Sequence, residues 1–222
     1  MNKYSKYIDH TLLKNEATFD DINDLVNEAI EYDFFSVCIQ PFFVKYAKHL
    51  LLDQKVKITT VIGFPLGMNT IATKVFEAKQ AIQDGADEID MVININELRS
   101  QNFEYCLSEI NQIKQAIGDH VLKVIVETAL LDHDTKVFAA NLILASNADF
   151  IKTSTGFASS GAVLEDVILW KEILGDQKEI KAAGGVKNID DLEAFIKHGA
   201  TRIGTSSAIK ILKNAKIGES DY

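Results

Sequence analysis

Short runs of branched and apolar residues recur along this chain, each followed by a longer stretch whose apolar positions repeat at helical spacing. The runs cover 7–11, 35–40, 57–64, 88–94, 122–128, 150–154, 179–183 and 202–204. Strands that alternate with amphipathic helices are the pattern of parallel βαβ units. Eight such units predict an α/β fold, a closed (β/α)8 TIM barrel formed by one domain over residues 1–222. An open doubly wound sheet alternates in the same way, but it would place a G-x-G-x-x-G turn after the first strand, and none is there.

Local signals agree with this division. Thr18, then Asn69 or Thr70, and Asn188 each stand where a side-chain oxygen would cap the start of a helix. The triplets Gly85-Ala86-Asp87, Asn147-Ala148-Asp149 and Gly199-Ala200-Thr201 each close a helical stretch and lead into a strand, with Gly or Asn suited to a left-handed cap. The two prolines, Pro41 and Pro65, directly follow predicted strands, where a missing N–H is harmless.

Composition narrows the class of function. Hydrophobic residues make up 47% and charged residues 25%, the balance of a soluble globule. No apolar run approaches the ~18 residues of a membrane span, and residues 1–9 lack the apolar stretch of a signal peptide, so a cytoplasmic protein without a membrane partner is expected. A net charge of −9 argues against nucleic acid as a partner, and it leaves any anionic substrate to be held by local groups. Cys38 and Cys106 have no paired spacing, His49 and His133 have no partner at ligand spacing, and His10 is a lone histidine of the kind that is more often structural, so no metal is expected.

Strand parity then places charge where a barrel interior would ordinarily be apolar. In 88–94, Ile89, Met91 and Ile93 share the face that must meet the helices, which turns Asp90, Val92 and Asn94 inward. The same rule turns Lys123, Ile125 and Glu127 inward on the next strand, then Phe150, Lys152 and Ser154, and then Lys181. Neighbouring strands lie about 4.8 Å apart, so Lys152 and Lys181 are expected to bring two ammonium groups within roughly 5 Å. At an effective dielectric of ~20 their repulsion is about 3 kcal/mol. A free lysine is only ~0.1% neutral near pH 7.4. Burial plus a second cation would therefore turn Lys152 into a nucleophile. The alternative is a buried salt-bridge network that only fixes the barrel.

Three Gly- or Ser-rich loops follow the last predicted strands: Thr153-Ser154-Thr155-Gly156-Phe157, Ala183-Gly184-Gly185-Val186, and Gly204-Thr205-Ser206-Ser207. Loops after strands 7 and 8 of such barrels commonly bind phosphate, and glycines let the backbone approach an anion closely.

Taken together, six ordered stretches give the chain an end-to-end resemblance to the deoxyribose-phosphate aldolase family. They are Ile8-Asp9-His10-Thr11-Leu12-Leu13, Ser36-Val37-Cys38-Ile39, Glu88-Ile89-Asp90, Lys123-Val124-Ile125-Val126-Glu127-Thr128, Phe150-Ile151-Lys152-Thr153-Ser154-Thr155-Gly156 and Lys181-Ala182-Ala183-Gly184-Gly185. The resemblance implies a class I aldolase without cofactor or metal, with Lys152 as Schiff-base lysine, Lys181 lowering its pKa and Asp90 transferring protons with water. It implies supporting roles for Asp9, Lys123, Cys38 and the C-terminal Tyr222, and phosphate contacts from Gly156, Gly184, Gly185, Gly204, Ser206 and Ser207. The implied reaction is reversible cleavage of 2-deoxy-D-ribose 5-phosphate to D-glyceraldehyde 3-phosphate and acetaldehyde, by a homo-oligomer, a dimer or tetramer. Two positions depart from the pattern: Phe157 stands where some members carry lysine, and Lys187 where arginine is frequent. The residues alone leave open another Schiff-base sugar-phosphate aldolase, or a non-catalytic sugar-phosphate-binding barrel.

Overall fold

The computed structural model describes residues 2–213. The strands β1 (Ile8–Leu12), β2 (Ser36–Ile39), β3 (Lys57–Ile62), β4 (Glu88–Val92), β5 (Val121–Ile125), β6 (Phe150–Lys152), β7 (Glu179–Ala183) and β8 (Arg202–Thr205) are all parallel, and they close into a barrel in chain order. The closing pair is β1 with β8, where Asp9 lies opposite Gly204. A (β/α)8 TIM barrel is therefore the fold.

Around it run α1 (Phe19–Glu31), α2 (Val44–Leu50), α3 (Ile71–Asp84), the short α4 (Ile95–Arg99), α5 (Phe103–Ile117), α6 (His133–Ala145), α7 (Leu164–Leu174), α8 (Ile189–Lys197) and α9 (Ala208–Leu212). Their boundaries follow from local chemistry. Thr18 and Asp21 form a reciprocal capping box at the start of α1, Thr70 rather than Asn69 caps α3, and Asn188 caps α8. Helix α1 then buries Ile22, Leu25, Val26 and Ala29, one stripe at 3.6-residue spacing. Each of the larger three contributes roughly 1.5–3 kcal/mol of burial. None of the helices among the described residues is long and apolar enough to cross a membrane.

The core has two compartments. The outward strand residues Ile89, Met91, Leu122, Val124 and Ile151 join the helix faces in one continuous apolar layer. Inside the barrel the apolar residues Leu13, Cys38 and Val61 form only a small cluster, and charged side chains fill the remainder of the lower interior.

Several strand ends differ from the sequence expectation, for one physical reason. Expected strands ran on to Phe64, Asn94, Thr128 and Ser154, whereas β3, β4, β5 and β6 stop at Ile62, Val92, Ile125 and Lys152. Hydrophobic patterning continues past the last ladder hydrogen bond, because the residues just beyond a barrel strand are still buried. Asn94 is thus the N-cap of α4, accepting from the amides of Asn96 and Glu97, rather than an inward strand residue. Glu127 sits at φ +55°, outside the strand. Gly85 and Gly199 have the positive φ expected of them, 111° and 114°, but α6 ends on Ser146 in extended backbone and Asn147 makes no left-handed cap.

Candidate active site

Six inner residues from five strands meet in a closed ring of alternating charge near the middle of the barrel. Lys181 lies between Asp90 Oδ2 at 2.7 Å and Asp9 Oδ2 at 2.5 Å. Arg202 joins Asp9 Oδ1 at 2.5 Å to Glu88 Oε1 at 3.0 Å. Lys123 closes the ring between Glu88 Oε2 at 2.6 Å and Asp90 Oδ1 at 2.9 Å. Ser36 donates to Asp9 at 2.6 Å, and the Thr59 hydroxyl lies within hydrogen-bond distance of both Ser36 and Glu88. Below the ring, the Arg202 guanidinium lies 3.4 Å from the ring centroid of Phe35, while Phe150 packs within 5.8 Å of both Lys123 and Arg202. These aromatics close the barrel floor with apolar surface.

Lys152 is the seventh charge and hangs on this ring from above. It is opposite Lys181 in the β6–β7 register, and its Nζ donates to Asp90 Oδ2 at 2.7 Å, the same oxygen that Lys181 uses. The two amines therefore cannot be farther apart than twice that distance, so they do sense each other.

The cause of the perturbation at Lys152 is, however, ordered differently from the sequence expectation. Burial is the foremost influence lowering its pKa; the Asp90 carboxylate opposes it, and Lys181 adds a smaller push downward. At Lys181 burial is outweighed by Asp9 and Asp90, which hold its pKa raised and keep it an ammonium ion. Burial likewise pushes the Asp90 carboxyl up, but Lys123, Lys152 and Lys181 together bring it well below the usual carboxylate range. Two neighbouring lysines are thus driven in opposite directions because one has two carboxylates and the other shares one.

Charge counting leads to the same assignment. The ring contains Asp9, Glu88 and Asp90 against Lys123, Lys181 and Arg202. It is balanced without Lys152, whose proton is the surplus charge in a water-poor interior.

Above Lys152 the barrel opens into a cavity of about 160 Å³, lined by Thr11, Leu13, Thr155, Gly156, Gly204 and Ser206 among others. The loop after β6 is fixed by Glu127, whose carboxylate accepts from the Thr155 hydroxyl and from its backbone N–H at 3.3 Å. Burial raises the pKa of Glu127, countered by Thr155 and Lys152. Phe157 lines the same cavity and meets Phe64 edge-on at 5.3 Å.

The expected phosphate residues divide into two groups. Gly156, Gly204 and Ser206 face the cavity that holds Lys152, whereas Ser207 lines an adjoining hollow with His10. Gly184 and Gly185, at φ +71° and +75°, line neither of these two and serve close backbone packing. A Cβ on Gly185 would lie 2.5 Å from the Ala162 carbonyl. Cys38 is wholly buried against Leu13 and Val61, and burial pushes its thiol pKa up. Tyr222 lies outside the described residues.

Residues 4–213 match the family described as DeoC/LacD family aldolase. The chain belongs to this family. It is 69% identical over 214 residues to a deoxyribose-phosphate aldolase of Ureaplasma urealyticum serovar 10 (strain ATCC 33699 / Western), covering 96% of this chain and 100% of the relative. It is 51% identical over 219 residues to a deoxyribose-phosphate aldolase of Staphylococcus carnosus (strain TM300), covering 99% of each. Among solved structures, the tetrameric deoxyribose phosphate aldolase of Aeropyrum pernix superposes with a TM-score of 0.85 at 33% identity, over 94% of this chain and 89% of that one.

Against this family background, two ring members were missed by reading the sequence. Glu88 has the same parity as Asp90 two residues on, which was the available signal. Arg202 opens β8 directly opposite Lys181, and only the strand register reveals that pairing. A further buried pair, Lys74 with Glu109 at 2.6 Å, lies outside the barrel wall. It ties down the loops after β3 and β4, since Lys74 donates to the carbonyls of Gly67 and Val92 and Glu109 accepts from the Asn94 amide.

Proposed function

We propose that this chain is a class I, Schiff-base aldolase that reversibly cleaves 2-deoxy-D-ribose 5-phosphate to D-glyceraldehyde 3-phosphate and acetaldehyde, acting as one catalytic domain in the cytoplasm. The observation that carries this reading is that Lys152, the surplus cation of the ring, is the ring-associated amine that lines the cavity. The relatives named deoxyribose-phosphate aldolase supply the substrate.

In the cleavage direction, neutral Lys152 adds to the C1 carbonyl and water leaves, giving a protonated imine. The C3 hydroxyl then loses its proton, the C2–C3 bond breaks, and its electron pair moves into the iminium as an enamine. D-Glyceraldehyde 3-phosphate departs. Protonation at C2 and hydrolysis release acetaldehyde and restore the amine. Asp90, held ionised by its cationic neighbours Lys123 and Lys181, relays protons with water rather than storing them. Lys181 stays charged behind it and keeps the imine nitrogen in a positive field. Asp9 and Lys123 hold Lys181 and Asp90 in place, and the loops at Gly156, Gly204, Ser206 and Ser207 form the phosphate end of the site, with Gly184 and Gly185 shaping the loop packed beside them. The tetrameric Aeropyrum relative supports a homo-oligomer as the working form.

The deciding experiment is borohydride reduction in the presence of acetaldehyde, followed by peptide mass spectrometry. A reduced two-carbon adduct on Lys152, absent in Lys152→Leu along with turnover, is expected. A barrel that only binds sugar phosphate stays unmodified, and a different donor specificity appears as adduct formation with pyruvate or dihydroxyacetone phosphate instead.

A further inference from the structure

We infer that Lys14 is the specificity-determining cation for the phosphate end of the substrate; this deepens the proposed function and rests on it. The cavity above Lys152 needs a positive group at its mouth if a phosphate ester is to sit there. Its walls at Leu12, Leu13 and Phe157 are apolar, and the chain carries a net charge of −9, so neither the local medium nor the overall field favours a dianion. Of the described residues lining this cavity, the cationic ones are Lys152 and Lys14. Lys152 is buried at the base and engaged with Asp90, where the carbonyl would react. A five-carbon substrate carries its phosphate at the other end, which leaves the exposed Lys14 as the cation for it.

Topology places Lys14 on the correct side. β1 is hydrogen-bonded to β8, with His10 opposite Thr205, so the segment leaving β1 stands beside the segment leaving β8, where Gly204 and Ser206 face the same cavity. The backbone at this point is held: Gln40 donates to the Leu13 carbonyl at 2.9 Å, and the Ala17 amide donates to the Lys14 carbonyl at 3.3 Å. Lys14 also borders the adjoining hollow, whose walls carry Glu16, Asp21, Asp24 and Glu28 together with Lys210, a residue that does not line the cavity above Lys152. Two of those acids are already engaged, Asp21 in the Thr18 cap and Glu28 with His10 at 2.6 Å.

The test compares the full-length parent with Lys14→Gln and Lys14→Arg on 2-deoxy-D-ribose 5-phosphate and on unphosphorylated 2-deoxy-D-ribose. Loss of one charge-assisted contact is expected to lower the preference for the phosphorylated sugar by roughly tenfold to a hundredfold. The loss falls in KM rather than kcat, and Lys14→Arg retains most of the preference. Inorganic phosphate, titrated as a ligand by NMR, should bind Lys14→Gln correspondingly more weakly. Equal losses on both sugars, or phosphate binding unaltered by Lys14→Gln, would overturn the assignment. Should the parent turn over neither sugar, the proposed function fails, while the phosphate titration still decides the role of Lys14.

Discussion

Lys152 and Lys181 donate to one and the same oxygen of Asp90, each at 2.7 Å. That sharing explains how two adjacent lysines are shifted in opposite directions. Lys181 has a second carboxylate, Asp9, which holds its pKa up; Lys152 has only the shared one, and burial lowers its pKa.

Replacement of Lys181 tests this division directly. In Lys181→Leu the remaining ring holds three carboxylates against Lys123 and Arg202, so Lys152 becomes the missing counter-ion and retains its proton to higher pH. The rising limb of the kcat/KM profile, set by neutral Lys152, should move upward by about one pH unit or more, with at least a roughly tenfold loss near pH 7. An activity loss that is uniform across the pH range would mean that Lys181 acts otherwise.

Arg202 lies in the ring but is separated from Lys152 by Asp90, Lys181 and Asp9. In Arg202→Leu, Asp9 and Glu88 lose a shared buried partner, which costs about 3–5 kcal/mol of stability. Urea unfolding, with the native state confirmed by circular dichroism, measures this. A cost below about 1 kcal/mol would place Arg202 in the class of exposed pairs and remove the ring as a structural element.

Acid should unfold the protein through the same groups. The Asp9 and Asp90 carboxyls both titrate lower in the folded chain than in the unfolded one. Their contribution is therefore complete above the unfolded value of about 4 and is lost as pH falls below it. Stability measured by denaturant between pH 7 and pH 2 should be nearly level down to about pH 5 and fall steeply below about pH 4. In Asp9→Asn the acid-limb slope should be shallower; an unchanged slope would exclude Asp9 from the linkage.

Much of this molecule can be read from one dimension. The eight units and the inward parity of Asp90, Lys123, Lys152 and Lys181 follow from the period-2 alternation of strands, because a register slip would bury every polar face against the helices. The caps at Thr18 and Asn188 are equally local, whereas the choice of Thr70 over Asn69 came from the folded backbone. What the chain order could not supply was how the inner residues pair across strands. The ring passes from Asp9 to Arg202 across nearly the whole length of the chain, and the closing contact between β1 and β8 exists only once the barrel has formed. Likewise, two lysines of the same type and parity acquired opposite pKa shifts through burial and the placement of Asp9 beside one of them. Burial and the number of carboxylates within reach are properties of the closed interior, which the order of residues along the chain does not contain.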